Sequence, residues 1–321
     1  MSLKRISVKS SAAPLYNEQE RDVAYFIQIA FAGIALGCIY ALIGMGFSII
    51  FKASEVINFA QGELLLVGAY LVSSLVFDWG LNFVLALLLG VLVTALIGLV
   101  FERLVVRRMI GRPVFAILMI TIGLATILQT VVQVKAGSSQ LTAPAPFTIT
   151  QGFNIAGVHF GANDILTIFV TVVVCALLYY FFQFTRYGLA MRATALDQEA
   201  ALAVGINIRT VYALAWGISA AIATIGGVFL AISTFSISIT LGDAALLAFP
   251  AIILGGVDSI AGAVVGGIII GLVQDLTAGY ESNVATIFGA GIHQITPYLV
   301  MILVLLIRPY GLFGSRKVER I

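Results

Sequence analysis

The chain has 321 residues, of which 61% are apolar and 10% charged, with a mean hydropathy of +1.10 and a formal net charge of +2. A soluble domain carries about a quarter of its residues as charges, so this composition excludes a water-soluble globule and predicts an integral membrane protein. The balanced basic and acidic groups form no patch for nucleic acid, and continuously apolar blocks without the alternation of barrel strands exclude a β-barrel.

Residues 1–23 read as a polar N-terminal tail with Lys4, Arg5 and Lys9, and the first apolar block begins too late and runs too long for a cleaved signal peptide. Residues 24–314 read as one transmembrane domain and 315–321 as a cytoplasmic tail. Apolar blocks run over 24–50, 63–77, 82–101, 113–134, 163–184, 210–235, 244–257, 259–274 and 288–307. Their lengths are of the order of the ~20 residues a helix needs to cross the hydrocarbon core. The predicted fold is therefore all-α: a polytopic helix bundle of about eight spans plus a broken or re-entrant segment near 52–62. Pro113 opens one block at a position where its missing N–H costs nothing, and Asp164, Asp243 and Asp258 stand before apolar runs as expected N-caps.

Lys and Arg set the orientation. Arg103, Arg107, Arg108 and Arg112 form one cluster, Arg186, Arg192 and Arg209 a second, and Arg308, Arg316, Lys317 and Arg320 a third, and all three are expected in the cytoplasm. The 135–162 connection carries a single basic residue and an alternating stretch, which predicts an external loop with a short β-ribbon. At the front, a single crossing over 24–50 puts the N-terminus outside, and is preferred to a broken first helix that crosses twice. Three small-xxx-small pairs, Gly33/Gly37, Gly262/Gly266 and Gly267/Gly271, predict close helix packing. Cys38 and Cys175 fall in apolar blocks and read as small buried hydrophobes.

Metal and nucleotide chemistry find little to work with. His159 and His293 are the only histidines, no CxxC or HExxH occurs, and no Gly-Lys-Ser/Thr exists to cradle phosphate. Two segments nevertheless break the apolar rule. In the first, Glu55, Asn58, Gln61, Gly62 and Glu63 interleave with apolar residues just before a spanning block; if helical, Glu55, Asn58 and Gln61 share a face. Such groups near membrane depth are costly and usually face protein, a water-filled cavity or a substrate, although anchoring at the headgroups is the simpler alternative. The second is the alanine-rich loop 185–209, which contains Arg192, Asp197, Glu199, Ala200, Ala201 and Gly205. It reads as an amphipathic cytoplasmic helix, ended by Gly205, that offers a small knob to a partner's groove.

Four ordered segments carry a family resemblance: Val56–Glu63, Met191–Ile206, Leu254–Ala263 and Arg308–Gly314. Together they resemble the permease subunits of branched-chain amino-acid ABC importers, the LivH-type family, over about residues 24–314. Where that family's motif commonly has histidine this chain has Gln61, so a titratable role there is absent, and the Leu-Pro pair that ends the full coupling pattern is missing. The resemblance implies a non-enzymatic transport subunit in the bacterial inner membrane that binds no cofactor. Its implied partners are a second homologous permease, two cytoplasmic ATPases that hold ATP and Mg, an external substrate-binding protein and the lipid bilayer, with no nucleic acid. It assigns Arg192, Asp197, Glu199, Ala200, Ala201 and Gly205 to coupling, and Glu55, Asn58, Gln61, Gly62 and Glu63 to the pathway or re-entrant segment. Import of urea or short amides remains an alternative. A self-contained secondary transporter or channel has few ionisable residues in its spans to couple to.

Overall fold

The computed structural model describes residues 18–109, 111–137, 140–155, 157–281, 289 and 291–314, with only the backbone described for 18–20. Of the expected tails 1–23 and 315–321, residues 1–17 and 315–321, with Lys4, Arg5, Lys9, Arg316, Lys317 and Arg320, lie outside the described residues, while residues 18–23 already belong to the first helix.

Among the described residues, six helices are long and apolar enough to cross a membrane, and three shorter apolar helical stretches accompany them. The first helix, α1 (Glu18–Ser54), is unbroken over 37 residues. Its 1.5 Å rise per residue makes it about 55 Å long, which agrees with the single crossing and not with a helix that crosses twice. A bend at Glu55, whose φ is +57°, ends it. After α2 (Gln61–Phe77) come α3 (Phe83–Leu104), α4 (Val114–Ala136) and α5 (Ala162–Phe184). The short α6 (Arg186–Leu196) and α7 (Gln198–Ala203) precede the long α8 (Ile208–Thr234). The chain continues through α9 (Ala244–Leu247), α10 (Phe249–Gly255), α11 (Ile260–Gly279) and α12 (Ile292–Ile307).

The block read as one crossing over 244–257 is instead a broken passage. Phe235 takes a left-handed φ of +57° that stops α8, and strand β4 (Ser236–Ile237) leads into the short helices α9 and α10. Strand β1 (Leu141–Thr142) pairs antiparallel with β4, Leu141 opposite Ile237, which ties the 135–162 loop to this break. The expected ribbon is present as β2 (Gly152–Ile155) and β3 (Val158–Gly161), paired antiparallel with Phe153 opposite Phe160.

The core lies along α1, α2 and α8. Residues 38–50 of α1 and the first nine residues of α2 are all buried. The glycine pairs explain how the helices come so close. A methyl group on Gly37 would lie 2.6 Å from Ile268 Cα, and one on Gly267 would lie 2.6 Å from Ala41 N and 2.7 Å from Gly37 O. Gly262 and Gly266 do the same against the α10 backbone at Gly255 and Ala251. Backbone meets backbone where there is no hydrophobic drive between helices, so dispersion contact must supply the attraction.

The expected aspartate caps are not the ones used. Asp164 sits inside the first turn of α5, Asp243 makes no side-chain cap, and Ser259 rather than Asp258 caps α11 by accepting from the Gly262 N–H. A serine hydroxyl adjacent to the helix reaches the N3 amide directly, so the aspartate one residue earlier is not needed there. Glu281 supplies an unexpected cap for α12, accepting from the Gly291 N–H and lying 2.7 Å from His293 Nδ1. These hydrogen bonds hold its carboxyl below the usual carboxylate range. Both cysteines are free, Cys38 buried and Cys175 partly buried with its Sγ 3.8 Å from Met45 Sδ.

Candidate functional site

Loop 185–209 and loop 135–162 sit at opposite ends of α1. At one end Tyr25 Oη donates to Gly279 O and Phe31 packs edge-on against Phe160, with centroids 4.9 Å apart. At the other, Gln198 Nε2 donates to Ala53 O at 3.3 Å. The Arg-cluster expectation assigns the 185–209 end to the inside and the β2–β3 ribbon to the outside, and the ends are called inner and outer in that sense.

Between Glu55 and Ala60 the chain is not helical, so the condition under which Glu55, Asn58 and Gln61 would share a helix face is not met. A helix continued through Glu55 would carry the segment straight on; the positive φ there folds it back toward the bundle. Asn58 is fully buried and its Oδ1 accepts from Ala60 N–H at 3.0 Å, a side-chain turn that replaces a backbone hydrogen bond. The turn is pinned from α4 as well, where Thr121 Oγ1 accepts from Phe59 N–H at 3.3 Å.

Gln61, also fully buried, reaches α8. Its Nε2 donates to Ser219 O at 3.4 Å, and Ser219 Oγ lies 2.8 Å from both Gln61 Oε1 and Gly46 O. The serine's single proton serves one acceptor at a time, so α1, α2 and α8 share one small network with spare acceptor capacity. Gly62 is set against the Gly242 carbonyl, where a side chain would collide. Glu63 is 8% exposed, its carboxylate faces Gly242, and its Oε2 has no hydrogen-bond partner among the described residues.

Two cavities flank this network. An outer one of about 390 Å³ lies among α1, α5, α8, α11 and the 135–162 loop, reaching Ile39 and Phe229. An inner one of about 380 Å³ lies under the re-entrant turn, reaching Ile50 and Trp216. Gly46 lies between Ile39 and Ile50 on α1, and Ser219 between Trp216 and Phe229 on α8, so the Gln61–Ser219 contact stands at the level that separates the cavities.

Loop 185–209 is two helices, not the single one expected. Asp197 breaks them and caps α7, its Oδ1 accepting from Ala200 N–H at 2.9 Å. Gly205, at φ +85°, ends the motif: its N–H bonds Leu202 O and the Ile206 N–H bonds Ala201 O, the paired pattern of a Schellman cap. Ala201 is buried, while Glu199 and Ala200 are exposed beside Leu202 and Val204, whose apolar side chains are 57% and 77% exposed. Arg192 belongs to the base, with Nη1 donating to Gln183 Oε1 at 3.3 Å and its buried Nε without a hydrogen-bond partner among the described residues. Gln198 ties α7 to the rest through Ala53 O and Tyr212 Oη, each at 3.3 Å.

The structure thus brings Asn58, Gln61, Gly62 and Glu63 together and places Glu55, Asp197 and Glu199 on the wall of the inner cavity. Arg192, Ala200, Ala201 and Gly205 stand apart from that cavity. Sequence reading missed Gly46, Thr121, Tyr212, Trp216 and Ser219, all on apolar helices where one polar residue per several turns is an ordinary occurrence. For Gln198 a signal existed, since an amide next to a helix-capping aspartate is well placed to bond outward. The Arg308–Gly314 segment also has a structural role here: Leu312 and Phe313 N–H groups bond Leu254 O and Gly255 O, so Leu254–Ala263 and Arg308–Gly314 dock on each other.

The family described as "Branched-chain amino acid transport system / permease component" matches residues 29–307. The high-affinity branched-chain amino acid transport system permease protein LivH of Escherichia coli is 32% identical over 310 residues, covering 92% of this chain and 98% of that protein. The permease protein BraD of Pseudomonas aeruginosa is 31% identical, covering 94% and 99%. A probable branched-chain amino acid transport permease protein LivH of Methanocaldococcus jannaschii is 30% identical, covering 87% and 90%.

Proposed function

The chain belongs to the branched-chain amino acid transport system permease family, a family of multi-pass membrane transport components rather than enzymes, and on that premise we propose that it passes leucine, isoleucine and valine inward across the bacterial inner membrane. Energy enters from outside the chain, through two cytoplasmic ATPases that hold ATP and Mg. A second homologous permease completes the membrane unit, and an external binding protein delivers the amino acid. The observation that carries this reading is the Gln61–Ser219 contact at the level between an outer and an inner cavity, on a turn whose preceding helix end is bonded to the coupling loop.

The path requires little affinity. An amino acid handed over by a binding protein must leave again, so an apolar path with a few polar groups suits it better than a tight site. Glu199, Ala200 and the exposed Leu202 and Val204 present the knob that a docked ATPase moves. Asp197 and the Gly205 cap keep that knob rigid, and Gln198 passes its displacement to the end of α1 and to α8. Parting α1 from α8 breaks the Gln61–Ser219 contact, and the two cavities exchange access. Asn58 and Glu63 hold the turn in place and act on the path through it.

Reconstituted with its partners in liposomes, the chain imports branched-chain amino acids at the expense of ATP. Asn58→Leu and Glu63→Leu lower that flux without changing affinity for the binding protein. Import of urea with no uptake of leucine, isoleucine or valine would overturn the substrate assignment.

A further inference from the structure

A groove apart from the two cavities has the proportions of a lipid. It lies between α5 and α11 with α1 behind it, encloses about 880 Å³, and is lined mainly by apolar side chains, among them Leu178, Phe182, Val264 and Val265. Its deep end reaches Met45 and Cys175, and its other end reaches the last turns of α1 and α5 and the helix α6. Nine residues lead from Cys175 to the end of α5 at Phe184, and nine from Met45 to the end of α1 at Ser54, each about 14 Å at the helical rise. One leaflet of the hydrocarbon core is about 15 Å deep. The groove therefore runs the depth of a single leaflet, on the side of loop 185–209. On its rim Tyr179 is 67% exposed and Leu196 90%, so it opens sideways from the bundle, where a spanning helix such as α5 meets lipid.

Charge is confined to one end of this groove. Lys52 and Arg192 bring two cations there, Glu55 and Asp258 two carboxylates, and Ser259 a hydroxyl. A purely anionic headgroup would meet the carboxylates as well as the cations, whereas a headgroup with a phosphodiester and an ammonium can satisfy both signs. We propose that the groove seats one aminophospholipid of the phosphatidylethanolamine kind, its acyl chain along Cys175, Leu178 and Val264 and its headgroup among Lys52, Arg192, Glu55 and Asp258. The phosphodiester accepts from Lys52 and Arg192, and the ammonium faces the two carboxylates. An acyl chain is as well solvated by its neighbours in the bilayer as by this groove, so the headgroup decides which lipid stays. Seated there, the lipid joins the end of α1, just before the re-entrant turn, to α6, just before the coupling helix α7, and stiffens that junction. The site is independent of what the chain transports, and it can be read without transport.

The chain carries its own reporter in Cys175, which lines the groove and is only partly buried. In the full-length Cys38→Ala chain in detergent, dioleoyl phosphatidylethanolamine should slow alkylation of Cys175 by N-ethylmaleimide at least fivefold. Dioleoylglycerol, with the same chains and no charged headgroup, should not protect, and dioleoyl phosphatidylglycerol should need about a tenfold higher mole fraction. Lys52→Gln and Arg192→Gln should each raise the half-protecting fraction of phosphatidylethanolamine about tenfold, the loss expected for a hydrogen bond to a charged group. Lipid extracted from the extensively washed wild-type chain, a measurement that needs no variant, should contain one phosphatidylethanolamine per chain. Equal protection by all three lipids, stronger protection by phosphatidylglycerol, or neither protection nor retained phosphatidylethanolamine would overturn the site. Protection that grows with protein concentration and ignores lipid would give the groove to a second copy of the chain, and would overturn it too.

Discussion

Gly267→Ala is the sharpest perturbation of the α1–α11 crossing. The added methyl would lie 2.6 Å from Ala41 N and 2.7 Å from Gly37 O. Both are main-chain atoms inside a buried helix, so no side chain can rotate away, and ordinary contact at about 3.5 Å requires the helices to part by about 0.9 Å. A gap of that size forfeits roughly a quarter to a half of each dispersion contact along the seam. Overpacking of this kind costs about 1–3 kcal/mol, against which alanine's better helix propensity returns about 1 kcal/mol, leaving a net loss of up to about 2 kcal/mol. Gly123→Ala is the matched control: nothing lies within 4 Å of its added methyl, so only the propensity gain remains and the sign reverses. Cys38, buried at 5% exposure and next to Gly37, reports melting in detergent through a thiol-reactive dye. A Gly267→Ala protein that melts at or above the wild-type temperature would refute the claim that backbone-to-backbone contact holds this crossing.

Three further outcomes follow from the geometry. Single cysteines at Leu202 and Thr150, in a background lacking Cys38 and Cys175, should be labelled by an impermeant thiol reagent from opposite sides of the membrane; labelling from one side would defeat the orientation. Gly205→Val should insert normally but lose substrate-stimulated ATP hydrolysis in the complex, because space is open around Gly205 yet its φ of +85° costs a β-branched residue at least ~1–2 kcal/mol; Gly205→Asn should retain part of the activity, and full activity in the valine variant would remove the cap from the mechanism. Glu281, with its carboxyl held below the ordinary range by the Gly291 and His293 hydrogen bonds, contributes stability that is complete above the usual carboxylate value of about 4.3 and is lost as pH falls through its lower folded-state value. Melting temperature measured down that acid limb should therefore fall less steeply in Glu281→Gln than in wild type, and identical slopes would exclude the cap from acid sensitivity.

Much of this protein was legible in its residues. Apolar blocks marked the helices, Arg clusters marked one face, Gly33, Gly37, Gly267 and Gly271 marked a close crossing, and Gly205 marked a helix end, because each of these is decided by local backbone chemistry or by the thickness of the bilayer. The unusual polarity of residues 55–63 likewise identified a segment that could not be an ordinary span.

What the residues could not say is which faces meet. The α1 span Arg21–Ser54 and the α4 span Val114–Ala136 share a mean hydropathy of 2.2, yet 83% of the best window of the first is buried in protein and only 22% of the second. In water, an apolar stripe betrays the buried face; in lipid every face is apolar, so hydropathy carries no such mark. For the same reason the partnership of Gln61 with Ser219, 158 residues away, and the placing of the short α2 at the centre were decided only by tertiary packing. A buried amide in hydrocarbon must find a partner somewhere, and its identity depends on which helices the close-packed glycines allow to approach.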